Sequence, residues 1–257
     1  MRKKKTTDSQ GAVLALSSTL STFGMKHAAK HLQEAFEFAG KNELTYREFL
    51  EYLSEIEINN RNERRRTRNL SGAHFPPNPP RIEEFDVSEH ESGITNGQIR
   101  QLQEMNWADL HGNLIFAGPP GLGKTMLAVA LGIDAVYAGY TVCYERMNNF
   151  VRILSDAEKE RRSGFRMKNI RRADIVIIDE VGYTPITREQ ANLFYTFVSE
   201  AEGNKSLVFT TNKDVSEWAE VFGDAILTSA LLDRLISHAK CFSFKGTSYR
   251  MKHPQEF

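Results

Sequence analysis

Cysteine is scarce in this sequence: Cys143 and Cys241 stand far apart and neither has a C-x-x-C partner. That argues against a disulfide framework or a cysteine zinc site, and because both fall in apolar stretches, two buried reduced thiols are expected. Long apolar runs are missing too, none approaching the roughly 18 residues that suggest a membrane-crossing helix. The basic start Met1-Arg2-Lys3-Lys4-Lys5 leads into polar residues 6–10 rather than an apolar signal core. Residence in the cytoplasm, with no membrane partner, is therefore expected. Net charge is also absent, 33 basic side chains balancing 33 acidic ones. The balance is uneven along the chain, since residues 1–80 carry 13 basic and 9 acidic groups, so local clusters decide whether a polyanion is bound.

What is present is an ordinary globular composition, 40% apolar and 26% charged over 257 residues, enough for one packed domain with a smaller appendage. From Thr19 to about Asn69 the apolar spacing is helical. Leu32, Ala35, Phe36 and Ala39 repeat at i, i+3, i+4, i+7, as do Tyr46, Phe49, Leu50 and Leu53. Thr45-Tyr46-Arg47-Glu48 reads as a capping box. A small helical domain over 1–70 is expected, then a linker and entry segment over 71–106 in which Pro76, Pro77, Pro79 and Pro80 enforce extended chain. Over 107–257 strands alternate with helices, predicting a parallel α/β sheet covered on both faces. Strands are expected at 113–117, 140–144, 174–179, 206–210 and 241–244, with helices at 124–138, 188–202, 215–221 and 227–239.

Gly118-Pro119-Pro120-Gly121-Leu122-Gly123-Lys124-Thr125 satisfies G-x-x-x-x-G-K-[ST] between a strand and a helix. Amides of such a turn wrap phosphates, the helix adds its N-terminal dipole, Lys124 reaches the β and γ oxygens, and the Thr125 hydroxyl ligates magnesium. ATP and Mg²⁺ are the expected ligands. The apolar strand ending Ile178-Asp179-Glu180 places Asp179 to hold the metal shell and Glu180 to polarise an attacking water. A third strand ends in Thr210-Thr211-Asn212, where Asn212 is positioned to orient that water or sense the phosphate. Groups that handle water favour a hydrolase over a small-molecule kinase, which needs an acceptor pocket and a mobile basic lid.

With these motifs in order, the chain resembles AAA+ ATPases of the DnaA, DnaC and IstB branch, most closely the IstB-like helpers of bacterial insertion sequences. The resemblance spans about residues 20–252 and includes Leu44 to Leu50, Ile82 to Asp86, Asp179 to Tyr183, Ser216-Glu217-Trp218, Val221 to Asp224, Leu232-Asp233-Arg234-Leu235 and Ser248-Tyr249-Arg250. It implies an oligomeric Mg²⁺-dependent ATPase, with ATP between subunits, that works on double-stranded DNA and recruits or stimulates a transposase through its helical N-terminal domain. Arg234 matches the position of the arginine finger contributed by a neighbouring subunit, and Arg250 that of a second phosphate sensor. A full C-terminal helical lid is not expected after Arg250.

Residues 146–172 carry nine basic groups against Asp156, Glu158 and Glu160. Arg152, Lys159, Arg161, Arg162, Arg166 and Lys168 are the candidate DNA contacts, because such density suits phosphates and makes binding salt-dependent. The similar helicase loaders carry a DNA-binding helical insertion in the same interval. No aromatic platform is read among these charges, so backbone contact is expected rather than base readout. The sequence departs from the family pattern at Met126, where relatives often have His, and at Ser199-Glu200-Ala201-Glu202-Gly203, where they commonly show Arg-Tyr. Two other roles share these features: a helicase loader of the DnaC type, and a DNA-architectural protein that uses ATP only as an assembly ligand.

Overall fold

The computed structural model describes residues 4–89 and 93–248, and the chain divides into two compact units at residue 67/68. The first contains α1 (Lys4–Thr22), α2 (Lys26–Lys30), α3 (Leu32–Lys41) and most of α4 (Tyr46–Ala73). Its core is small: Ala28, Leu32, Ala35 and Leu53, with Phe49, Tyr52 and Ile56 packed against them. The buried stripe of α4 therefore runs through Phe49, Leu53 and Ile56, whereas Tyr46 and Leu50 of the expected stripe are exposed. The Thr45 capping box forms, the Glu48 amide donating to Thr45 Oγ1 at 3.3 Å and the Thr45 amide to Glu48 Oε2 at 2.7 Å.

One long-range contact ties this unit together. The Glu57 carboxylate accepts from the His27 and Ala28 amides at 2.8 and 3.0 Å and from Arg61 Nε at 2.8 Å, satisfying donors at the start of α2 that a helix leaves open. Burial raises the Glu57 pKa, but the Ala28 amide, Arg61 and the His27 amide outweigh it and hold it below the usual value of 4.5. A depressed carboxylate pKa contributes stability that is present above the unfolded value and lost as pH falls through the folded one. Glu57→Gln is therefore expected to destabilise the helical unit by about 2 kcal/mol at neutral pH, with the gap to wild type closing below about pH 4. Paired thermal melts at pH 7 and at acid pH check this, and an equal gap at both would exclude the charge as the cause.

The second unit is a sheet of five parallel strands, β1 (Asn113–Ala117), β2 (Val142–Arg146), β3 (Ile175–Val181), β4 (Ser206–Thr211) and β5 (Ala239–Ser243), in the order β2-β3-β4-β1-β5. Successive side chains point to opposite faces, and both faces are covered, so the strands read as unbroken apolar runs. Leu114, Phe116, Ile175, Ile177 and Val208 pack beneath α5 (Asn96–Gln103), α6 (Asn106–Asp109) and α7 (Lys124–Ala138). Ile115, Val176, Ile178, Leu207 and Phe209 face α8 (Met147–Asp156), α9 (Arg161–Arg172), α10 (Arg188–Ala201), α11 (Trp218–Phe222) and α12 (Ala225–Ile236). Among the described residues no helix follows β5, and none is long and apolar enough to cross a membrane.

Two sequence expectations are corrected. Cys143 is buried, but Cys241 is exposed, because the sheet order makes β5 an edge strand. The strand placed at 140–144 starts at Val142: Gly139 closes α7 with φ 111°, and the Tyr140 amide still donates to Ala135 O at 3.0 Å, so both residues belong to the helix cap. The proline-rich stretch runs as non-helical chain from the end of α4 at Ala73 to Ile82, and Ile82 and Phe85 are buried in the same cluster as α7.

Candidate nucleotide-binding site

At the carboxyl edge of the sheet β1 ends at Ala117, and the chain turns through residues 118–123 into α7. The turn requires glycine. Gly118 and Gly123 have φ of 141° and 74°, and a Cβ on them would lie 2.3 Å from Phe244 O and 2.8 Å from Phe85 Cε2. Phe85 and Phe244 approach the loop closely at these two glycines, and Gly121, Gly123 and the first residues of α7, Lys124 and Thr125, line a cleft. Lys124 is buried, and its ammonium donates to Pro119 O at 2.6 Å, so the cation is already folded back over the loop.

Next to it, Thr125 Oγ1 donates to Asp179 Oδ1 at 2.7 Å and Tyr144 OH to Oδ2 at 2.7 Å. The Thr210 hydroxyl donates to Oδ1 as well, and accepts from the Glu180 amide at 3.0 Å. Asp179 is 1% exposed, and three hydroxyl donors account for its buried charge. Burial and then the neighbouring Asp179 push the Tyr144 phenol well above its usual value, so it stays protonated as a donor.

Asp179 and Glu180 part company because β3 bulges. The register with β4 shifts between Ile178 and Val181, and Glu180 takes φ 62°. The bulge turns Asp179 inward and Glu180 out into the cleft, holding a non-glycine residue in a conformation that costs about 1–3 kcal/mol. Glu180 lies 3.6 Å from Arg146 Nε, and that guanidinium is held above its usual pKa by the Tyr144 oxygen and then by Glu180.

A cleft of about 860 Å³ is lined by Lys124, Thr125, Glu180, Asn212 and the segment 84–86. It therefore gathers the glycine-rich loop, the Glu180 carboxylate and the polar tip of β4. The fit to magnesium rests on chemistry: a hydroxyl and a carboxylate 2.7 Å apart form a hard oxygen pair, and that ion takes its remaining ligands from phosphate and water. Met126 lines the same cleft and packs on the core.

Other candidates lie elsewhere. Arg234, on α12, is not among the cleft-lining residues. It donates to Glu202 Oε2 at 2.8 Å and lies 5.4 Å from the centre of the Tyr195 ring. Glu200 and Glu202, in the segment that departs from the family pattern, are paired with Arg171 and Arg234. Arg250 lies outside the described residues.

Among the candidate DNA contacts, Arg152, Lys159, Arg161, Arg162 and Lys168 are exposed, but Arg166 is a correction. It is 6% exposed and donates to Glu145 Oε1 at 2.6 Å, Gly72 O at 2.8 Å, Ala73 O at 3.2 Å and Tyr144 O at 3.0 Å. Its charge density is spent inside the fold, anchoring α9. One aromatic among these charges, Phe165 on α9, is 68% exposed.

Comparison with known proteins agrees with this geometry. The profile of the family described as IstB-like ATP binding protein matches residues 18–256. The putative ATP-binding protein of insertion sequence IS21 from Pseudomonas aeruginosa is 36% identical over 92% of this chain and 89% of its own length. That of IS232 from Bacillus thuringiensis is 33% identical over 92% and 94%. Among solved structures, DnaI matches with a TM-score of 0.55 at 15% identity over 67% of this chain and 95% of its own. AMPPCP-bound DnaA from Aquifex aeolicus matches at 0.53 and 18% identity over 70% and 54%, which establishes the AAA+ type of α/β fold. With the phosphate loop, the Asp179 hydroxyl cluster and the Glu180 bulge on one sheet edge, the chain belongs to the IstB-like ATP-binding proteins.

Proposed function

We propose that this chain is a Mg²⁺-dependent ATPase that assembles on double-stranded DNA and recruits or stimulates a transposase through its N-terminal helical unit. The observation that carries the reading is the convergence of Lys124, Thr125, Glu180 and Asn212 on one cleft above the buried Asp179. Lys124 and the loop amides hold the β and γ phosphates. Thr125 and Asp179 would hold the magnesium ion, which supplies charge neutralisation at the phosphoryl oxygens. Glu180 takes the proton of the attacking water, Asn212 orients that water, and Arg234 of an adjoining subunit completes the charge balance. For Glu180 to act it must part from Arg146, whose 3.6 Å contact competes for the same carboxylate. The relatives' insertion-sequence names favour the transposition setting over helicase loading.

Glu180→Gln is expected to lower ATP turnover about 100-fold or more while nucleotide binding persists, so that ATP-bound assemblies accumulate. Turnover assays with and without duplex DNA, alongside size analysis, check this. Wild-type turnover by the variant would remove Glu180 from the mechanism, and a wild-type chain without multiple turnover would leave ATP as an assembly ligand only. Charge reversal at Arg161 and Arg162 is expected to weaken duplex binding and flatten its log–log salt dependence by about two units.

A further inference from the structure

We propose that the outward face of α9 is a nucleobase-contacting surface on which Phe165 stacks against an unstacked base while Arg161, Lys168 and Arg172 hold the phosphates on either side. This rests on the DNA-binding reading above and adds a chemistry to it. Positions 161, 165, 168 and 172 fall at i, i+4, i+7 and i+11, one stripe of a helix, and all four side chains are exposed. Along the axis Arg161 and Lys168 lie about 6 and 4.5 Å from Phe165. That spacing is comparable to one or two nucleotide steps at about 3.4 Å each.

The opposite face explains why this stripe is not incidental. Ser163, Arg166, Met167 and Ile170 are buried. Arg166 ties the middle of the helix to Glu145 and to the carbonyls of residues 72, 73 and 144. Lys205 Nζ donates to the carbonyls of Ile170, Arg171 and Ala173 at 3.3, 2.6 and 3.2 Å, closing the C-terminal end. Two buried cations thus fix the helix from within, so its outer side chains stand on a rigid support and less order is lost on binding. Among the described residues Arg161, Arg162, Lys168 and Arg172 form no ion pair, whereas Arg171, at the border of the face, is paired with Glu200 at 3.4 Å. The fold uses neither the Phe165 ring nor those charges.

Charge selects the occupant. An apolar protein partner has no use for a ring of cations around the aromatic, and a phosphate backbone alone has none for an exposed phenyl ring. A base flanked by phosphates uses both. With one aromatic rather than a row of them, the face takes a single base, supplied either by an opened step in a duplex or by a single strand.

Anisotropy titrations of the full chain with ATP and Mg²⁺ would use three labelled probes of about 30 nucleotides per strand: a paired duplex, the same duplex with a central bulge, and a single strand. Phe165→Ala is expected to weaken binding about ten-fold on the probe that presents the base. The salt slope and melting temperature should be unchanged, and Phe165→Trp should restore affinity. Loss confined to the bulged duplex identifies an opened step as the source, and loss confined to the single strand identifies that strand. Phe165→Ala affinity within about two-fold of wild type on all probes, with Arg161→Glu/Arg162→Glu still defective, would overturn the base contact and leave only phosphate binding. A Phe165→Ala defect with a lowered melting temperature and no rescue by Trp would also overturn it, in favour of a structural role. Indifference of every probe to both variants would overturn the DNA reading beneath it.

Discussion

Replacing Lys124 by alanine is expected to abolish nucleotide binding, lowering ATP affinity by at least about 100-fold. In the structure Lys124 is buried and its ammonium donates to Pro119 O at 2.6 Å, at the phosphate-facing end of the loop. A triphosphate brings several negative charges to that ammonium, and a charge-assisted contact in a partly desolvated cleft is strong. The other parts of the cradle, the amides of residues 121–123 and the start of α7, contribute dipoles rather than a full charge. Removing the ammonium therefore takes away the largest single attraction while leaving the Gly118 and Gly123 turn intact. The measurement is ligand-induced stabilisation: ATP at 100 times its Kd raises wild-type stability by about 2.7 kcal/mol. That increment should vanish in the variant while the unliganded melt stays near wild type. An undiminished ATP-induced shift would refute the assignment of the cleft.

Much of this site is readable from local sequence because its parts are contiguous. The Gly118 to Thr125 loop, β1 and α7 form one strand-turn-helix unit, and the boundaries expected for β1 and α7 are those observed. The apolar run before Asp179 is equally local, since a strand buried on both faces needs no alternation. What escaped depends on register. Tyr144 and Thr210 reach Asp179 only because β2 and β4 flank β3 in the sheet, an adjacency that no sequence spacing encodes. The Glu180 bulge appears only when β3 is aligned with β4. Arg166 misled for a related reason: in a segment with nine basic residues over 146–172, charge density does not tell which side chain points inward. Its burial is legible only from the face opposite Phe165, where Met167 and Ile170 are also buried. Phe165 was visible in the sequence, but an aromatic in an amphipathic helix is ordinarily a core residue, and only its exposure separates it from Phe150, which is fully buried against Phe194 and Phe197.

The second large effect is expected at Arg234. Arg234→Ala should lower ATP turnover about 1,000-fold with ATP binding retained, because this guanidinium lies outside its own subunit's cleft. Within one chain it is held by Glu202 at 2.8 Å and by the face of Tyr195 at 5.4 Å. An exposed helix-surface pair of that kind contributes little to stability, so a purely structural role predicts a slight loss of stability and unchanged turnover. The between-subunit role predicts the reverse, together with complementation. In mixtures of Arg234→Ala and Lys124→Ala chains, an intact Lys124 cleft meets an intact Arg234 across some interfaces, and turnover should return although neither variant is active alone. Absence of rescue in assembled mixtures would place Arg234 outside the reacting site. Glu202 supplies the opposite sign. Because it competes for the same guanidinium, Glu202→Gln should release Arg234 and raise turnover at subunit concentrations where wild-type assembly is incomplete. With that result, the departure from the family pattern at residues 199–203 would have a physical meaning: a carboxylate placed there would set how readily the arginine leaves its own chain for a neighbour's phosphate.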